Sequence, residues 1–335
     1  MTLPISSSQV KIRNILISPA LMLAPMAGLT HSAFRRLISE FGGYGALYTE
    51  MLCGTALVSE NLNESTFTRR RTQEGPVFYQ LKLNGSEPLE RIFDRLRWVE
   101  PTGIDINLGC PAPLVKSVKA GGALFDDAPR LRRVLDTCRK LWDGVLTVKC
   151  RLGKPSDEWQ ETLARRLKLF EECGVDAITV HPRFLNEKLK RKARWNLFPF
   201  IASHTKLPLI ANGDISDSVD TEKLMGELDC PAVMIGRMAA VKPWIFSEIC
   251  GGPVTADYHE VWQKACSYIL EDFTPNRAIG RIKQLGAYYS RNFFFGHQLY
   301  AAVQSSPDIP TLLKRADEFL LNDPRVTKEP SVMGI

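Results

Sequence analysis

Long apolar runs are missing from this chain: no stretch of its 335 residues approaches the ~18 to 20 that a membrane-spanning helix needs. Met1 to Ser8 lacks a positive region followed by an apolar block, so no secretory leader is read there and a cytoplasmic protein is expected. Paired cysteines are missing too. The eight cysteines, at 53, 110, 138, 150, 173, 230, 250 and 266, form no Cys-x-x-Cys pair, which argues for a reduced compartment and against a disulfide framework. Histidine is scarce: the five, at 31, 181, 204, 259 and 297, neither cluster nor pair with a carboxylate at metal-ligand spacing, so no metal site is expected. No Gly-x-Gly-x-x-Gly turn follows the first apolar run, which disfavours a doubly wound dinucleotide fold. Internal repeats and low-complexity segments are also lacking.

What is present is ordinary globular composition, 44% hydrophobic and 24% charged, in a chain long enough for one large domain and a smaller one. A net charge of +6 permits a polyanionic partner without requiring one. Eight short apolar runs recur: Leu21 to Pro25, Ala46 to Met51, Pro76 to Leu81, Gly103 to Asn107, Val145 to Cys150, Asp176 to His181, Pro208 to Ala211 and Ala232 to Gly236. Each is followed by a helical or irregular connection. After the first, Thr30 can cap a helix through Phe34, Leu37, Ile38 and Phe41 that Gly42 closes; after the third, Ser86 opens one through Leu89, Ile92, Phe93 and Leu96. The alternation predicts an α/β (β/α)₈ TIM barrel over residues 1–250, led in by a short hairpin before Leu21. Beyond Gly251-Gly252-Pro253 the pattern turns helical, predicting a small all-helical domain over 251–323 and a flexible tail over 324–335. A monomer is expected.

Barrels of this type place chemistry at the carboxyl ends of the strands, often with a phosphate between the last two. Those two strands run into Asn212-Gly213-Asp214 and Gly236-Arg237, where glycines admit backbone N–H groups and an arginine adds a charged fork. The other ends supply Pro25-Met26-Ala27, Gln80, Asn107 with Cys110, Lys149 with Arg151, and His181. A lysine inside Val148-Lys149-Cys150-Arg151 is costly unless an anion faces it. Taken singly, Cys110 could be a small buried hydrophobe and His181 a satisfied strand-end residue. Together the set fits a flat, hydrogen-bonding, phosphorylated cofactor across the barrel mouth, and flavin mononucleotide (FMN) fits best.

Six motifs, Ala24-Pro25-Met26-Ala27-Gly28, Asp105-Ile106-Asn107-Leu108-Gly109-Cys110-Pro111, Lys149-Cys150-Arg151-Leu152-Gly153, His181-Pro182-Arg183, Asn212-Gly213-Asp214-Ile215 and Gly236-Arg237, stand in one order along the chain. In order and spacing they resemble the tRNA-dihydrouridine synthases. The resemblance implies that Pro25, Met26 and Ala27 line a flavin, that Gln80 and Lys149 bond its ring, and that His181 neighbours it. It further implies that Asn212, Gly213, Asp214, Gly236 and Arg237 hold the ribityl phosphate. By the same resemblance Cys110 is the proton donor, Asn107 lies beside flavin and uracil, and NADPH passes hydride to FMN and thence to C6 of a tRNA uridine. Thiols as a class ionise near pH ~8.5, which suits proton donation at neutral pH. Two departures are visible: Gly121-Gly122-Ala123-Leu124-Phe125 only approximates the family's glycine-rich run, and Pro182 stands where glycine is common.

An RNA surface is expected on the helical part. Between Asp272 and Asp308 there is no carboxylate, while Arg277, Arg281, Lys283 and Arg291 occur among Tyr288, Tyr289, Phe293, Phe294 and Phe295. Arg277 and Arg281 share one helix face by their spacing, and Lys190 belongs to a second basic run, Lys188 to Arg194, on the active-site side. These, with Asn107 and Arg151, are the candidate substrate contacts. The alternatives are an FMN barrel acting on a free pyrimidine or other small molecule, and a non-catalytic RNA-binding factor, which would have no use for Cys110 or Lys149.

Overall fold

The computed structural model describes residues 4–187, 189, 191–252 and 257–332. The lead-in is an antiparallel hairpin of β1 (Val10–Ile12) and β2 (Ile15–Ile17). The barrel staves are β3 (Leu21–Leu23), β4 (Leu47–Tyr48) with its continuation β5 (Leu52–Cys53), β6 (Val77–Lys82), β7 (Gly103–Leu108), β8 (Val145–Arg151), β9 (Ala177–His181), β10 (Leu209–Asn212) and β11 (Ala232–Ile235). All pair in parallel in the order β3-β11-β10-β9-β8-β7-β6-β4. A parallel bridge between Met22 and Ala46 joins β3 to the β4 segment and closes the ring. Staves buried on both faces need apolar residues at nearly every position, and every residue of β7 is buried.

Around the ring run α1 (Ser32–Phe41), α2 (Gly54–Leu57), α3 (Leu89–Leu96), α4 (Pro113–Ser117), α5 (Gly122–Asp126), α6 (Ala128–Leu141), α7 (Trp159–Glu172), α8 (Phe198–Ala202), α9 (Ser218–Glu222), α10 (Arg237–Val241) and α11 (Ile245–Ile249). Three local expectations are corrected. Thr30 does not cap α1: its hydroxyl is bound to the Met26 backbone, and the buried His31 caps instead, Nδ1 accepting from Phe34 N at 3.3 Å. Burial, then Arg281 and Arg35, hold the His31 pKa well below its usual value, so the ring is neutral and able to accept. Ser86 does not open α3, which starts three residues later; its N–H and hydroxyl both serve Asn84 Oδ1 in a turn. The second stave breaks after Tyr48 because the Thr49 hydroxyl, not a backbone carbonyl, accepts from Gln80 N at 3.1 Å.

Past Gly252 come α12 (Tyr258–Asp272), α13 (Pro275–Tyr289), α14 (Gly296–Ser305) and α15 (Ile309–Leu320). Their buried faces, including Trp262, Ile282, Leu299 and Leu312, belong to one apolar cluster with the barrel's helices. Polar ties reinforce it: the fully buried Asp272 side chain receives Arg69 and Arg71, the latter at 2.5 Å, and Glu271 receives Arg36 at 2.7 Å. Residues 324–332, expected as a loose tail, lie on the protein instead: Val326 bridges Phe293, and Thr327 N donates to Asn292 O at 2.8 Å.

Removing one partner of a buried ion cluster leaves the others uncompensated. Asp272→Ala is expected to cost about 3 kcal/mol and lower the midpoint of thermal unfolding; an unchanged midpoint contradicts the clamp.

Candidate active site

The inward side chains of β6, β7 and β8 fall in layers set by strand register, Gln80 beside Asp105 and Asp105 beside Thr147. Asp105 is wholly buried and accepts from Gln80 Nε2 and Thr147 Oγ1, both at 2.7 Å. Burial pushes its carboxyl up to about 6, against those hydrogen bonds and the Lys149 charge. The amide of Gln80 is thereby oriented, and its Oε1 accepts from Asn107 Nδ2 at 2.8 Å. Asn107 Oδ1 in turn receives the N–H groups of Cys110 at 3.0 Å and Gly109 at 3.3 Å. One relay thus runs from the barrel floor to the loop that presents the part-exposed Cys110.

Across from it, Lys149 Nζ donates to Asn212 Oδ1 at 2.8 Å, and Asn212 Nδ2 to Met234 O at 2.7 Å. Among the described residues no carboxylate lies within ion-pair distance of this half-buried ammonium. Burial first, then Arg151, pull its pKa down to about 8. His181 is driven well below its usual pKa by burial, then Lys149 and the neighbouring arginines. Neutral, its Nε2 accepts from Arg183 Nη1 at 2.7 Å, which leaves the ring proton on Nδ1.

The far end of the mouth gathers arginines. Gly213 adopts φ 112°, and a Cβ there would sit 2.7 Å from the His181 ring, so only glycine fits. The Asp214 carboxylate accepts from Arg183 Nη2 at 2.6 Å, Ala193 N at 2.7 Å and Arg237 Nη2 at 2.9 Å. It orients two guanidinium groups. Arg237 Nη1 also donates to Val332 O at 2.8 Å, so the chain's last described residue walls the cavity. Arg183, wholly buried, is a participant that the sequence reading quoted in a motif but assigned no role. Its place two residues past His181, on the alternating face of an extended segment, was the available signal.

A cavity of about 250 Å³ brings together Pro25, Met26, Ala27, Gln80, Asn107, Cys110, Lys149, Arg151, His181, Asn212, Gly213, Asp214, Gly236 and Arg237. The two helical arginines stand apart from it. Arg281 is turned onto the barrel, its guanidinium 5.4 Å and 5.7 Å from the Phe273 and Phe67 rings and 4.0 Å from Glu50 Oε1. Glu50 Oε2 accepts from Gly28 N at 2.6 Å, and Gln284 Nε2 donates to Ala27 O at 3.0 Å. Helix α13 therefore clasps the Pro25-Met26-Ala27 loop, while Arg277 is exposed on the first turn. Lys190 lies outside the described residues. Of its basic run, Arg194 pairs with Glu187 at 2.6 Å and Arg191 lies 3.7 Å from the same carboxylate. Arg151 Nη1 donates to the carbonyls of Glu187 at 3.1 Å and Phe184 at 3.3 Å.

Residues 22–295 match the family model described as dihydrouridine synthase (Dus). The chain belongs to the dihydrouridine synthase family. It is 32% identical over 243 residues to a probable tRNA-dihydrouridine synthase of Rickettsia bellii, an alignment covering 72% of this chain and 73% of that one. It is 33% identical over 245 residues to tRNA-dihydrouridine synthase B of Escherichia coli K12, covering 72% and 73%. Among solved structures, the old yellow enzyme of Trypanosoma cruzi superposes with a TM-score of 0.53 at 10% identity, over 76% of this chain and 94% of that one. That likeness bears out the TIM barrel. Family membership bears out the resemblance carried by the six motifs.

The depressed Lys149 ammonium has a stability consequence in the cofactor-free protein. With a folded pKa of about 8 and an unfolded one of about 10.4, the charged form destabilises the fold below pH ~8, and stability is regained as the pH rises between the two values. Lys149→Met is expected to be more stable than the parent below pH ~8, by about 2 to 3 kcal/mol, with the gap closing toward pH ~10.4. Urea denaturation of both proteins across that range checks it, and a pH-independent gap contradicts it.

Proposed function

We propose that this chain reduces uridines in tRNA to 5,6-dihydrouridine, holding FMN in the barrel mouth and drawing reducing equivalents from NADPH. The observation that carries the reading is the polarity of the cavity. At one end Arg183 and Arg237 converge, in the middle Lys149 has no carboxylate within ion-pair distance among the described residues, and Cys110 faces the space from a loop tied to the same network. This donor set fits a flavin phosphate at the arginine end and an electron-rich ring beside Lys149. The relatives' printed names support tRNA uridines as the target.

FMN supplies hydride chemistry that no side chain can perform, accepting hydride from NADPH and delivering it to C6 of the uracil ring. The chain's residues do the rest. Pro25, Met26 and Ala27 form a wall, held from behind by Gln284 and by Glu50 on Gly28. Gln80 and Asn107 present amides fixed by Asp105 and by the Cys110 loop. Arg237, Asn212 and the backbone at Gly213 and Gly236 take the phosphate end. Cys110 gives the proton to C5 while the base is held out of the RNA stack.

Residues 1–250 serve in this reading as the flavin barrel and 251–323 as the RNA-binding helices. Arg277, Arg291, Phe294, Phe295 and Tyr300 are exposed on those helices and their connections, and cations beside aromatic rings suit single-stranded nucleotides. Arg281, clasped onto Glu50, acts on the flavin loop rather than on RNA.

Cys110→Ala is expected to bind FMN and tRNA within about twofold of the parent while product formation falls by about 10² to 10⁴. Binding by flavin fluorescence and gel shift, with turnover by nucleoside mass analysis, separates the two effects. Full product formation by the variant removes the proton-donor role.

A further inference from the structure

A second cleft, of about 480 Å³, opens on the outer side of the catalytic loop, between the turn after β6, the segment after α4 and the first turns of α6. Its polar lining is Asn84, Ser86, Lys119, Arg130, Arg133 and Thr137, and it includes no carboxylate. Arg130 is held by Asp127 at 3.1 Å. Lys119 and Arg133 have no ion-pair partner among the described residues, and both are exposed. Two exposed cations without an ion-pair partner thus line one concavity.

The cleft is mechanically joined to the reacting centre. Asn84 Nδ2 donates to Val118 O at 2.9 Å, pinning the segment before Lys119 to the end of β6. Two residues beyond Lys119, Gly121 packs so closely that a Cβ would sit 2.9 Å from Cys110 O and 3.3 Å from Asn107 Oδ1. Gly122 N donates to Cys110 O at 3.2 Å. Lys119 itself holds φ 57°, a left-handed conformation unfavourable for a non-glycine residue.

We propose that this cleft is a phosphate-binding subsite in which Lys119 and Arg133 neutralise one phosphate group. The proposal rests on the reading of the chain as a reductase that handles both a phosphorylated dinucleotide and tRNA. Either reactant can supply the phosphate. Because the cleft is open to solvent and shares a wall with the Cys110 loop, a backbone phosphate of the tRNA strand is the better match. Its occupation braces the proton-donor loop as the substrate docks.

The double variant Lys119→Gln/Arg133→Gln, in the FMN-loaded full chain, is the test, with an unchanged thermal midpoint as the folding control. Binding of unmodified tRNA transcript is measured at several salt concentrations, and the KM for NADPH and for NADH is taken from anaerobic flavin reduction. If the phosphate is the tRNA's, the tRNA Kd rises about tenfold and the salt slope falls by about 1, while both KM values stay put. If it is the dinucleotide's, the KM for NADPH rises about tenfold at unchanged tRNA affinity, and a flat KM for NADH assigns the 2′-phosphate. All three constants within twofold of the parent overturn the subsite. A parent enzyme that forms no dihydrouridine sinks the functional reading instead, and the binding measurements still decide the cleft.

Discussion

An ammonium in a barrel mouth with no carboxylate in ion-pair distance among the described residues is the constraint on which the rest of this site turns. Lys149 is fixed by strand register beside Asn107 and by a hydrogen bond to Asn212, so it cannot swing away to solvent without giving up that bond. The nearest acid, Asp105, sits one layer deeper, occupied by Gln80 and Thr147 and lifted toward neutrality by burial. Its attraction for the ammonium only partly offsets burial and the Arg151 charge. The positive field is left for something that enters the mouth, and Arg183 and Arg237 extend it toward the β10 and β11 ends. A fold that only had to be stable would not keep this arrangement, since apolar residues of similar size would pack there at lower cost.

The second organising feature is how the catalytic wall is held. The loop after β3 is tied internally at Met26, which bonds Leu29 and Thr30, and is held from outside by Glu50 from the second stave and by Gln284 and Arg281 from α13. The helical region thus braces one wall of the mouth and is not merely an appendage. It is locked in turn by Asp272 and Glu271 against the arginines of the 69–71 segment and Arg36. The packing of the helices and the geometry of the loop after β3 share one set of contacts.

Much of this was legible before any coordinates. Parallel staves buried on both faces leave short apolar runs, so all eight appeared in the sequence, and strand-end polarity marked most of the residues that line the mouth. What escaped has identifiable physical causes. The break in the second stave depends on the Thr49 hydroxyl replacing a carbonyl, a substitution invisible to periodicity. Arg183 lies two residues past His181 and on its side of the chain, beyond the apolar run by which the strand was recognised. Helical spacing correctly put Arg277 and Arg281 on one face, but only packing shows that the latter is drawn onto Glu50 and two phenylalanines. Asp214 was read as a phosphate contact because of its neighbours, whereas its carboxylate serves the arginines.

The account stands or falls on whether the mouth delivers hydride to a uridine in RNA. The direct measurement is to incubate the FMN-loaded protein with NADPH and an unmodified tRNA transcript under anaerobic conditions, then digest the RNA and weigh its nucleosides. The account predicts a uridine heavier by two hydrogens at a defined position, formed in step with reoxidation of the flavin. Flavin that is reduced by NADPH and reoxidised by a free pyrimidine, with tRNA left unchanged, would contradict it.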